Sequence, residues 1–242
     1  MYIPFSFLKP QRATVSFNGL RIWNTYGGYN SSSGVWQDIS GNNNSGSVLG
    51  STLTEVSGGY LFDGTTNFVL YNDIVNKAYD VPHPLLFNMT ISIFGTFSTE
   101  VKNPYGFAWF GWDNQGPKNG FFSAFDNFAN PDNLAFVATA GGTELTFTAP
   151  YSYTENEKAM FTIVVQGDEV KWYKNTQLFY SASYAFDPIL CGNFSPGYPL
   201  RFGASGSSDV NKFSGSVSNL LMYNTSLTAT EIANNYTYLS SI

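Results

Sequence analysis

The chain has 242 residues, of which 43% are hydrophobic, 18% aromatic and only 12% charged, with a formal net charge of −6. A chain of this length buries roughly 70–75% of the surface its unfolded form exposes, so a sizeable core forms without cross-links, and the single Cys191 excludes a disulfide scaffold. Eleven Lys plus Arg, with no run among them, leave nothing to neutralise a phosphate backbone, which excludes nucleic acid as a partner.

From the start, MYIPFSFLKPQR lacks a basic segment followed by an uninterrupted apolar one, and no stretch nears the roughly 18 apolar residues of a membrane span. The expectation is therefore no secretion signal and no membrane insertion. Residues 1–18 carry Tyr2, Ile3, Phe5 and Phe7 between Pro4 and Pro10 and read as an extended N-terminal arm. Such an arm packs on its own domain or docks on a neighbouring subunit. Residues 19–242 show no repeat and no dividing linker, so they form one domain.

Runs rich in β-branched and aromatic residues, bounded by Gly, Pro, Asn or Asp, predict strands at 68–71, 89–98, 107–112, 121–125, 134–138, 144–148, 160–166, 169–174, 177–181, 200–204 and 213–223. So many short strands at regular spacing predict an all-β antiparallel sandwich. In 89–98, Met89, Ile91 and Ile93 share one face and Thr90, Ser92 and Thr96 the other, predicting one buried face. Short polar turns at 166–169 and 174–177 make 160–183 a three-stranded antiparallel meander. A weak helix candidate covers 71–78. The only other helix is short and C-terminal: Thr228 and Glu231 form a capping box, followed by Ile232, Tyr236 and Leu239 on one face.

Three segments, read together, resemble one known family. They are Trp36-Gln37-Asp38-Ile39-Ser40-Gly41 through Gly46, followed by Tyr60-Leu61-Phe62-Asp63-Gly64; Phe161 to Val165 with Val170 to Asn175, where Thr176 stands in place of the family's glycine; and Phe213-Ser214-Gly215-Ser216 through Asn224, with Leu227 to Ile232. Their order and spacing over about 19–240 are similar to the laminin-G-like, concanavalin A-like jelly-roll family. The resemblance implies a jelly roll whose closing helix shuts one end of the sandwich. Asp38, Gly41, Asn42, Gly46, Asp63 and Gly64 also suit turns, which is the structural reading of the same motifs.

Catalytic groups are sparse. Sugar-cleaving relatives on this fold carry E-x-D-x-x-E on one strand, and neither Glu144 nor Glu155 begins that pattern. The one histidine, His83, lies between two prolines, and no G-x-S-x-G, C-x-x-C or phosphate-cradling loop is present. The expected protein is not an enzyme. The family's rim calcium sites make Asp113 and Asp209 the candidate metal ligands, against the alternative of ordinary turn residues. Trp112, Asp113, Asn114 and Asn119 cluster around one hairpin and are the candidate sugar-binding residues, since aromatic faces stack on sugars and amides hydrogen-bond them.

Jelly rolls similar to this family occur in phage and virus particles. The resemblance, together with the aromatic arm, leads to the expectation of a non-enzymatic virion structural or surface protein. Residues 1–18 would contact other virion proteins or a second copy, with cell-surface glycan as a ligand. The alternative is a carbohydrate-binding lectin-like module at a cell surface or outside the cell, and the third reading is a glycoside hydrolase.

Overall fold

The computed structural model describes residues 14–71, 88–97, 107–112, 120–126, 133–140, 143–150, 154, 156–183, 200–204 and 212–242, and among these the alternation and turn chemistry of the sequence are realised as sixteen strands and one helix. The strands are β1 (Leu20–Asn30), β2 (Val35–Asp38), β3 (Gly46–Leu49), β4 (Thr54–Val56), β5 (Gly59–Asp63), β6 (Phe68–Tyr71), β7 (Asn88–Phe97), β8 (Phe107–Trp112), β9 (Gly120–Asp126), β10 (Asn133–Ala140), β11 (Thr143–Pro150), β12 (Lys158–Gln166), β13 (Glu169–Lys174), β14 (Gln177–Ser183), β15 (Leu200–Phe202) and β16 (Ser214–Tyr223). The helix is α1 (Ala229–Leu239). Of the 71–78 helix candidate, Tyr71 is the last residue of β6, and 72–78 lie outside the described residues.

Among the described residues all pairings are antiparallel and follow one hydrogen-bonded path, β11-β10-β9-β8-β15-β6-β3-β2-β1-β16-β7-β12-β13-β14, with β5 on β16 and β4 on β5. The path folds over at β1. Its first half, Leu20 to Thr25, pairs with β16, with Asn24 also opposite Asp38 of β2, and its second half, with Tyr29 opposite Trp36, pairs with β2 alone. The register shifts between these halves, where Gly27 takes a φ of 86° that a side chain would resist. One sheet thus holds β4, β5, β16, β7, β12, β13 and β14, and the other holds β2, β3, β6, β15 and β8 to β11.

Between the sheets lies the main core, which includes Ile22, Trp36, Phe62, Val69, Ile91, Ile93, Phe161, Ile163, Trp172, Phe202, Val217 and Leu220. Phe62 meets Phe202 edge-on at 5.1 Å. The predicted meander is present in register, with Ile163 opposite Trp172 and Trp172 opposite Tyr180. At its second turn Asn175 takes a φ of 55°, and its N–H donates to the Met160 carbonyl while its Oδ1 accepts from the Met160 N–H. That asparagine tolerates the left-handed region, so the missing glycine at Thr176 does no harm.

A second cluster covers the outer face of the β7, β12 and β16 sheet. It joins Val15, Leu20, Trp23, Phe94, Met160, Val164, Leu221 and Tyr223 to Leu227, Ile232 and Leu239. The helix therefore lies on the back of one sheet rather than shutting the end of the sandwich. Its capping box forms as the sequence predicts, with the Thr228 hydroxyl accepting from Glu231 N–H and the Glu231 carboxylate accepting from Thr228 N–H at 2.8 Å. Residues 14–17 of the expected arm pack beside it: Val15 is buried, Ser16 N–H donates to Asn235 Oδ1 at 2.8 Å, and Ser16 Oγ donates to Glu231 at 3.1 Å.

This cover corrects the expectation of a single buried face on β7. Thr90 and Ser92 are both fully buried, like Ile91 and Ile93. Their hydroxyls are satisfied inside the protein, Ser92 by Thr162 across the ladder at 2.8 Å and Thr90 by the Thr225 carbonyl at 2.9 Å and the Leu227 N–H at 2.9 Å.

Candidate functional site

The motif carboxylates belong to turns. Asp38 Oδ1 accepts from the Trp23 and Ser40 N–H groups at 2.8 and 2.9 Å, and Oδ2 accepts from the Ser40 hydroxyl and the Asn44 N–H at 2.8 Å each. Asn42 and Asn44 then donate to the carbonyls of Leu20 and Arg21, pinning the loop to the start of β1. Asp63 Oδ1 accepts from Thr65 and Thr66 N–H at 2.8 and 2.7 Å, and the Thr66 hydroxyl donates to Oδ2. Burial opposes the charged form of Asp63, but the hydrogen bonds from Thr66, Thr65 and Asn67 outweigh it and hold the carboxyl well below its usual range. With their acceptor sites filled by backbone and hydroxyl donors, both carboxylates serve the fold.

Of the expected sugar-binding residues, Trp112 closes β8, opposite Leu200 of β15 in the ladder. Asp113, Asn114 and Asn119, and the metal candidates Asp113 and Asp209, lie outside the described residues. Among the described residues, no group of three His, Cys, Asp or Glu side chains is placed to hold a metal ion.

An open site stands on the outer face of the helix-bearing sheet, where α1 ends and leaves the strands uncovered. Five neighbouring strands place Thr54, Leu61, Ser216, Thr96 and Lys158 directly opposite one another in register. This row crosses four strand-to-strand steps, roughly 19 Å at about 4.8 Å each. Above it runs a cleft of about 380 Å³ walled by Val56, Ser57, Leu61, Thr96, Asn156 and Ser216. Beyond Lys158, a hollow of about 280 Å³ continues to Tyr26, Phe94, Asn219 and Leu239.

The alternation of β16 produces this wall. Val217 turns inward to the core, so Ser214 and Ser216 turn outward, and a bulge between Val217 and Asn219 then restores Leu220 and Met222 to the inside. Thr96 Oγ1 and Ser216 Oγ share one hydrogen bond at 2.6 Å, which leaves the pair one free hydroxyl proton and several lone pairs for a ligand. Leu61 is 38% exposed and presents a small apolar surface beside them. Lys158 lies with its ammonium 5.0 Å from the Phe94 ring centre, beside Gly58, where a Cβ would stand 3.7 Å from Nζ. Tyr26 donates its hydroxyl to Glu55, and that neighbour pushes the phenol's pKa up.

Sequence reasoning missed this site because its residues are scattered from 26 to 239 and form no motif. The one available signal was the alternation Ser214, Ser216, Ser218 on a strand whose other face is apolar.

Two antiparallel sheets face to face, folded over at a kinked strand, with a helix on the back of one, define a concanavalin A-like jelly roll. The family model of the Concanavalin A-like lectin/glucanases superfamily, of laminin G type, matches residues 89–233, more than half the sequence, and the chain belongs to this superfamily. No curated protein matches it. Solved structures share the fold at low identity. The binding domain of botulinum neurotoxin DC, solved in complex with rat synaptotagmin II, is 15% identical, with a TM-score of 0.65 over 91% of this chain and 52% of that one. A Trypanosoma rangeli sialidase mutant displaying trans-sialidase activity is 16% identical, with a TM-score of 0.62 over 95% and 34%. Domain 4 of AbnA, an extracellular arabinanase of Geobacillus stearothermophilus in complex with arabinotriose, is 13% identical, with a TM-score of 0.61 over 90% of this chain and 98% of that domain. The chain thus spans about half of the neurotoxin domain and a third of the sialidase, but nearly the whole of the arabinanase domain.

Proposed function

We propose that the protein is a non-enzymatic, carbohydrate-binding lectin-like module that works outside a cell or on a particle surface. The observation that carries this reading is the cleft of about 380 Å³ on the outer sheet face, lined by hydroxyl, amide and aliphatic groups. Sugar rings present hydroxyls at their edges and C–H groups on their faces, and a wall of Ser, Thr and Asn beside Leu61 complements both. The near-complete overlap with an arabinanase domain whose structure holds arabinotriose supports the same ligand class.

A structural role in a virion, with residues 1–18 docking on other virion proteins or on a second copy, is the second reading. It draws on the motif order over 19–240 and on the aromatic arm. Residues 14–17 of that arm are already engaged with Asn235 and Glu231 of their own domain, which favours the lectin-like reading.

The test is a glycan array probed with the full chain, followed by calorimetry on whatever binds and mass analysis of the recovered oligosaccharide. Saturable binding to a defined glycan class, with the sugar returned intact, is the expected result. An array without binding removes the lectin-like reading, and shortened products would make the protein a hydrolase.

A further inference from the structure

The walls of the cleft are neutral, and Lys158, on the strand beside it, lines the adjoining hollow. Of the lysines described on this sheet, Lys171 pairs with Glu169 at 2.7 Å and Lys174 with Glu157 at 2.6 Å. Lys158 has no such partner among the described residues. Glu55, next to the β4–β5 turn that approaches Lys158, accepts instead from the Tyr26 hydroxyl. Lys158 is exposed, and its ammonium is flanked by the Phe94 ring and by a glycine that keeps the space beside it open. In a chain with only 11 Lys plus Arg and a net charge of −6, a lysine with no ion pair among the described residues, where the cleft meets the hollow, is a local feature and not part of a basic surface.

Building on the glycan-binding reading, we propose that the cleft and the hollow adjoining it take an acidic oligosaccharide, one bearing a carboxylated sugar whose acid lies toward the hollow. Lys158 holds the carboxylate, and Thr96, Ser216 and Ser57 hydrogen-bond the hydroxyls of the neighbouring rings. An ammonium and a carboxylate form charge-assisted hydrogen bonds that are roughly twice as strong as neutral ones, so the charged end sets selectivity. The row from Lys158 to Thr54, roughly 19 Å at about 4.8 Å per strand, suits an oligomer with its acid at one end. Leu61 gives the C–H face of a ring an apolar surface to lie on.

The experiment measures binding of the full chain to two matched pairs: an oligogalacturonate against its methyl ester, and sialyllactose against its methyl ester. Each pair removes the charge from the same sugar framework, and the two arms separate uronic from sialic acid as the source of the carboxylate. The expected result is that, in at least one pair, the acidic member binds about tenfold more tightly or better. That preference should vanish in Lys158→Met, persist in Lys158→Arg, and shrink as NaCl rises from ~0.05 M to ~0.5 M. Because Lys158 is exposed, thermal unfolding of the variants should match that of the parent chain. Equal binding of acidic and neutral members, or a preference that survives Lys158→Met, overturns the charge assignment and leaves the glycan reading standing. Absence of binding to every glycan, neutral or acidic, overturns both.

Discussion

At the residue scale, the two motif aspartates show how a carboxylate can be fully occupied with holding a fold. Asp38 gathers four donors from two segments, Trp23 on β1 and Ser40 with Asn44 in the following loop. Asp38→Ala leaves those N–H groups without an acceptor and should cost about 3 kcal/mol in urea unfolding, while Asp38→Asn, which keeps one oxygen, should cost about half as much. A loss under about 1 kcal/mol for the alanine would mean that the loop holds itself. Asp63 has a pH consequence. Its folded pKa lies below the unfolded value of about 3.9, so its stabilisation is present above that pH and is lost as pH falls below about 4 toward the folded value. Asp63→Asn should therefore unfold with a shallower acid limb between about pH 4 and pH 2 than the parent chain, and identical slopes would remove Asp63 from the acid sensitivity. Both aspartates were legible in the sequence as turn residues, because an Asp followed by Ser, Gly, Thr and Asn offers its oxygens to nearby N–H groups.

At the element scale, strands flanked by clear turn residues were legible, and those without were not. The meander of β12 to β14 and the capping box of α1 stand where the spacing predicts them. β1 was hidden because Gly27 and Gly28 interrupt its apolar pattern at the point where it changes sheets, and β3 and β4 are only four and three residues long. The cover of the outer face was also hidden, since Thr90, Ser92 and Thr162 look like solvent-facing residues until a helix and residues 14–17 arrive from the two ends of the chain. Gly95 gives a test of this packing. A Cβ there would stand 2.0 Å from the Ser216 carbonyl oxygen on β16, a backbone atom that cannot swing away. Gly95→Ala should cost about 3 kcal/mol or more, and it should unfold as one cooperative transition. A near-neutral Gly95→Ala would show that β7 and β16 are not held this closely.

At the scale of the whole molecule, three layers divide the labour. One sheet and the inner face of the other enclose the main core, while the outer face of the second sheet is half covered by α1 and half left as a polar cleft. The fold class and the family were legible because ordered motifs over most of the chain must satisfy one topology. The cleft was not, because register across five strands, and no local sequence, brings Thr54, Leu61, Thr96, Lys158 and Ser216 into line. Filling it with Ser216→Trp should abolish glycan binding while shifting stability by less than about 1 kcal/mol, since the position faces outward and partly into solvent. The most direct measurement is amide chemical-shift mapping of the full chain titrated with the tightest glycan from the array. The account predicts saturable shifts clustered at Ser57, Leu61, Thr96, Lys158 and Ser216, absent in Ser216→Trp. Shifts confined to the opposite sheet or its loops, with these five amides unmoved at saturation, would contradict it.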